Sequence, residues 1–158
     1  MSMNLKYDIN LGDESYSVTD ILPRDYEGTV VIPETHEGLP VTRIGCRAFC
    51  KSKITSVVIP DSVVSIGAHA FDDCDNLKKV TMGKNVKEIG EYAFAYCNRL
   101  ERIDIPEGVT VIERYLFYIV LKKWLFPTQF LKLISVHFLP ALIWRRFITQ
   151  AVSSSGMK

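Results

Sequence analysis

"SIGAHAFDDCDNLKKVTMG" (residues 65–83) is answered one period later by "EIGEYAFAYCNRLERIDIP" (residues 88–106). The two stretches share Ile, Gly, Ala, Phe, Cys and Leu at matching places. Working outward, "RIGCRAF" precedes them and "VIERYLF" follows. Ile therefore recurs at 44, 66, 89 and 112, and Phe at 49, 71, 94 and 117, in steps of 22, 23 and 23 residues. A fixed period in this range means stacked structural units, none of which can bury its apolar face alone. Function is then expected on a surface built by repetition and not in a single cleft.

Each unit reads as three parts. Ile54, Val57 and Ile59, then Leu77, Val80 and Met82, then Leu100, Ile103 and Ile105 have L-x-x-L-x-L spacing, and the last two of each alternate like a half-buried strand. A turn follows at Pro60, Gly83 and Pro106, and then a second extended piece at 63–66, 86–89 and 109–112. Gly45, Gly67 and Gly90 come next, either in a conformation a side chain would resist or where coils approach closely. A short helical turn is expected to drop Ala48, Ala70, Ala93 and the Phe column into the interior. Cys74 and Cys97 occupy the same repeat position, with Ser52 in their place in the first unit, and are expected to stack as small buried side chains in adjacent coils and not as disulfide or metal partners. An earlier partial unit, "TVVIPETHEGLPVTRIG", carries five more residues between Pro33 and Ile44 than its successor has between Pro60 and Ile66. That insertion is expected as a loop outside the stack.

The pattern I-P-x-x-V-x-x-I-G-x-x-A-F-x-x-C-x-x-L resembles the BspA-like (Treponema-type) leucine-rich repeat family over roughly residues 28–117. The preceding segment is similar to the hairpin that opens such domains. The resemblance implies an α/β solenoid: a short right-handed superhelix of about four coils, with an N-terminal β-hairpin cap at 1–27, repeats at 28–117 and an atypical tail at 118–158. It also implies a curved, non-catalytic module that binds proteins or glycans, as in bacterial surface and adhesion proteins.

Composition agrees with a single domain: 158 residues, 47% hydrophobic. The net charge of +1 conceals an asymmetry, because from Arg114 onward there are seven basic residues and no acidic one. The preceding part has twelve basic against eighteen acidic residues, which argues against a phosphate-neutralising nucleic-acid face. The opening "MSMNLKYDIN" has no apolar signal-peptide core, so any export signal is missing here or the chain is a fragment. Catalytic signatures such as G-x-S-x-G, H-E-x-x-H and the phosphate-binding glycine loops are absent, and no enzyme activity or cofactor is expected. Cys46 and Cys50 lack a second pair at zinc spacing. The carboxylates of "DDCDN" (residues 72–76) lack the calcium-loop pattern and read as a solvated turn. Of the histidines, His36 falls in the inserted loop, His69 in a variable outward slot and His137 in the tail.

Beyond Phe117 the register is lost and the chain turns apolar, aromatic and free of acid. Three readings of this tail stand side by side. It covers the open end of the solenoid; it associates with a membrane through residues 124–144, where Lys132, Pro127 and Pro140 oppose insertion; or it is a shifted frame or truncated end. A membrane-tethered repeat protein is accordingly the alternative to a free interaction module. The partner-binding surface is expected on the concave sheet face, where residues between the buried ones point outward. One column is Thr29, Ser56, Lys79 and Arg102; its neighbour is Val31, Val58, Thr81 and Asp104.

Overall fold

The computed structural model describes residues 3–103 and 105–112. Asp104, the side chains of Arg102 and Ile112, and the fourth corner with Phe117 and the tail lie outside the described residues.

The chain opens with an antiparallel hairpin, β1 (Asn4–Asn10) and β2 (Ser15–Leu22). From there it winds as a β-solenoid of two parallel sheets, each coil giving one short strand to each sheet. The first sheet holds β3 (Thr29–Val31), β6 (Ser56–Val58), β8 (Lys79–Thr81) and β10 (Arg102–Ile103) in that spatial order. The second runs β1, β2, β5 (Leu39–Ile44), β7 (Ser65–Ile66), β9 (Glu88–Ile89) and β11 (Val111–Ile112). The expected external loop is itself a hairpin. β4 (Thr35–His36) pairs antiparallel with β5 through Glu37 and Gly38, both at positive φ (48° and 82°), as a primed two-residue turn requires.

Strands this short persist because each central residue is buried in a column shared by neighbouring coils. Val30, Val57 and Val80 form one column and Ile44, Ile66 and Ile89 another; all are at most 2% exposed. Phe49, Phe71 and Phe94 stack between them with ring planes within 4° of parallel and centroids 4.9 and 5.0 Å apart. That separation matches the strand spacing, so the backbone ladder sets the ring ladder.

The corners depart from expectation. No helix occurs among the described residues, which make about three turns of a β-solenoid; the α half of the α/β class and a fourth complete coil are not shown by them. Each Gly-x-x-Ala-Phe corner is a run of turns in which two non-glycine residues adopt positive φ: Arg47 and Lys51, His69 and Asp73, Tyr92 and Tyr96. A left-handed residue of this kind costs about 1–2 kcal/mol. The conformation is held because it aims alternate amides at the following coil. Arg47, Phe49 and Lys51 donate to the carbonyls of Ala68, Ala70 and Asp72, and His69, Phe71 and Asp73 donate to those of Glu91, Ala93 and Ala95, at 2.8–3.0 Å. A helix would turn those amides back on its own strand and leave the coils unjoined at the corners.

The glycines before the corners serve close approach and not left-handed geometry. A Cβ on Gly67 would lie 2.7 Å from the Cys46 nitrogen, and one on Gly90 2.6 Å from the Ala68 nitrogen.

Cys74 and Cys97 are fully buried and free, and they also bond. Their thiols donate to the carbonyls of Phe49 and Phe71 in the preceding coil, at 3.0 and 3.1 Å. Burial pushes the Cys74 thiol up to about 12 and the Cys97 thiol well above the ordinary range, so both keep the proton they donate. A thiol reagent should therefore modify exposed Cys46 in the folded protein and reach Cys74 and Cys97 only on unfolding. Rapid labelling of all the cysteines without denaturant would contradict this.

The hairpin is joined to the first coil by β2–β5 pairing and by a polar network. Ser15, 1% exposed, donates to Asp13 at 2.6 Å and bonds Thr42 at 2.7 Å, while Arg43 reaches Asp13 at 2.6 Å. The Ser15 hydroxyl first, with Arg43 adding, holds the Asp13 carboxyl below its usual range. At the far side Arg24 donates to the Cys50 carbonyl at 2.7 Å, doing for the first corner what a preceding coil does for later ones.

Candidate functional site

The outer face of the β3–β6–β8 sheet is built by register. Parallel pairing sets Thr29 beside Ser56 and Ser56 beside Lys79; the same ladder sets Val31 beside Val58 and Val58 beside Thr81. Because Val30, Val57 and Val80 point into the core, the residues on either side of them point away from it. Ser56 and Val58 are half-buried and the other four are exposed, with Val31 59% accessible. The Arg102 backbone continues the first column beside Lys79. Its side chain, and Asp104 of the second column, lie outside the described residues.

This face joins unlike chemistries in a small area. Val31 and Val58 give an apolar strip, and Thr29, Ser56 and Thr81 add hydroxyls. Thr29 and Ser56 already bond each other at 2.6 Å, which orients both. Lys79 makes no ion pair among the described residues. Val and Thr are stiff at χ1, so they lose little freedom when a partner settles on them.

The other candidates are engaged in packing. His69 is not simply outward: it stacks on Tyr92 at 5.0 Å and bonds Asp72 through Nδ1 at 2.9 Å. His36 stacks on Tyr7 at 3.8 Å and meets the edge of Tyr16 at 4.8 Å. The Tyr16 hydroxyl donates to Glu37 at 2.9 Å, and that bond pushes its phenol up. Within residues 72–76 the carboxylates of Asp72 and Asp75 go to separate partners. Asp75 accepts from Asn98 at 2.7 Å, one coil on, where Arg99 likewise reaches Asn76 at 3.2 Å. Asp61 holds Lys84 in the same inter-coil manner. These rungs were not read from the sequence, although complementary side chains one period apart were their available signal. Among the described residues no three His, Cys, Asp or Glu are placed to share a metal, and no helix is long and apolar enough to cross a membrane. The segment 124–144 lies outside the described residues.

Comparison with known proteins agrees with the geometry. A model of the BspA type leucine rich repeat region matches residues 42–140 in six copies. The chain is similar to a leucine rich repeat protein of Treponema pallidum, with TM-score 0.63 and 25% identity over 73% of this chain and 64% of that one. It thus spans less than two thirds of that relative's length. A leucine-rich repeat protein of Bacteroides capillosus is similar at TM-score 0.63 and 31% identity, over 73% of this chain and 88% of that one. A leucine rich cell surface protein of Faecalibacterium prausnitzii is similar at TM-score 0.56 and 33% identity, over 73% of this chain and 38% of that one. Comparison with curated proteins gives no match.

Proposed function

Because the chain belongs to the BspA-type leucine-rich repeat family, we propose that it is a non-catalytic interaction module that binds through the outer face of β3, β6, β8 and β10. The observation that carries this reading is the pair of in-register columns, in which an exposed apolar strip adjoins hydroxyls and an ammonium with no ion pair among the described residues. A partner suited to it offers apolar surface together with acceptors for Lys79 and the hydroxyls, as an extended acidic polypeptide or an acidic glycan does. Solenoid faces serve this purpose because repetition lays equivalent side chains side by side over several coils. Similarity to a protein named for the cell surface supports the same placement here, with adhesion as the biological use.

The test is to probe an array of glycans and purified extracellular proteins with the full chain and with a Val31→Asp/Lys79→Glu variant. Both positions are exposed, so the melting temperature should stay within a few degrees while the bound signals fall about tenfold or more. Signals that survive the double substitution would remove this face from consideration.

A further inference from the structure

The strand β1 lies at one end of its sheet, paired with β2 on one side and with nothing on the other among the described residues. Seven residues of open edge invite another strand. Its sequence, Asn-Leu-Lys-Tyr-Asp-Ile-Asn, reads as a chemical palindrome about Tyr7. We propose that β1 pairs antiparallel with β1 of a second copy of this chain, forming a two-fold dimer with a sheet continuous across the axis.

In the register centred on Tyr7, Lys6 stands opposite Asp8 of the second copy, and Asp8 opposite its Lys6. Asn4 faces Asn10, and Leu5 faces Ile9. Lys6 and Asp8 are exposed and have no ion pair among the described residues, so both are free to meet across the axis. Ile9 is 49% exposed in the single chain, and this pairing would set Leu5 of the other copy beside it. Leu11, at the hairpin tip and 84% exposed, would fall beside Met3 of the other copy.

Charge selects this register. Sliding by two residues in one direction sets Lys6 against Lys6, and in the other Asp8 against Asp8. Like charges directly opposite each other are unfavourable, so the alternatives are disfavoured. A lone edge lysine ordinarily deters strand addition; with Asp8 two positions on, it deters strands other than its own copy. The one bulge in the hairpin lies in β2, at Thr19, so β1 stays regular along its open side. An isologous contact of this kind closes on itself and does not polymerise.

The test is sedimentation of the full chain and of charge variants. The wild type should run at the mass of two 18.0 kDa chains. Lys6→Asp sets Asp against Asp, and Asp8→Lys sets Lys against Lys. Each should weaken self-association about tenfold or more, with hairpin folding retained because both positions are exposed. Mixing the two single variants should restore the dimer as a heterodimer, and Lys6→Asp/Asp8→Lys in one chain should restore it as a homodimer. A monomeric wild type overturns the proposal and leaves the edge to a strand of a different protein. A dimer indifferent to these exchanges overturns it too, by placing the contact elsewhere.

Discussion

Phe71→Ala is expected to lower the unfolding free energy by about 3–5 kcal/mol. Its ring is fully buried and has a parallel aromatic neighbour in the coil on each side, Phe49 at 4.9 Å and Phe94 at 5.0 Å. The backbone cannot close over the void. The Phe71 amide is tied to Ala93 and its carbonyl holds the Cys97 thiol, while the adjacent Ala70 carbonyl accepts from the Phe49 amide, so the corner is fixed from both neighbouring coils. With total stabilities of about 5–15 kcal/mol for domains in general, such a loss is a large share of what holds the stack. Urea unfolding measures it as a drop in midpoint at unchanged slope. A cost below about 1 kcal/mol, the level of an exposed or relaxable site, would mean that the aromatic column does not carry the core.

Gly67→Ala and Gly90→Ala are expected to cost about 3 kcal/mol or more each, for the opposite reason. The added methyl would meet backbone: the Cys46 nitrogen and Gly45 carbonyl carbon at 2.7 and 2.9 Å in one case, and the Ala68 nitrogen and Gly67 carbonyl carbon at 2.6 and 2.7 Å in the other. A flexible side chain could swing away, but these atoms are held in the ladder by the Gly67 and Gly90 amides bonding the Ile44 and Ile66 carbonyls at 2.8 Å. Gly108→Ala is the control. The nearest atom to its Cβ is the Lys84 oxygen at 3.4 Å, so that change should stay within about 1 kcal/mol of wild type. Equal effects at all three glycines would show that coil-to-coil approach is not what the repeat selects.

The columns were legible because burial repeats at a fixed step. Ile66 and Ile89, Phe71 and Phe94, and the buried cysteines sit where the period puts them. The outward pairing of Thr29 with Ser56, and of Val31 with Val58, followed from strand alternation together with the repeat register. The corners were not legible. Ala-Phe beside polar residues favours a helical turn, and nothing in Arg47, His69 or Tyr92 announces a positive φ. Those conformations are imposed by the neighbouring coil, which supplies the carbonyls their segment needs, and a single segment carries no sign of its neighbour. The same holds for the cysteines. Their burial could be read, but the donated bond to the Phe carbonyl needs two coils in place. The stacking of His69 on Tyr92 likewise converts two variable slots into one contact.

The alternate corner amides of Arg47, Phe49 and Lys51, and of His69, Phe71 and Asp73, all point one way, from each coil to the one after it. A unit therefore has a front and a back, and any unit's back fits any other's front. Duplicating residues 67–89 in tandem would insert a coil whose two neighbours find the donors and acceptors they already use. Reach along the stack is thus adjustable in whole steps of about 4.8 Å, each adding one row of side chains for recognition while the interior formula stays the same.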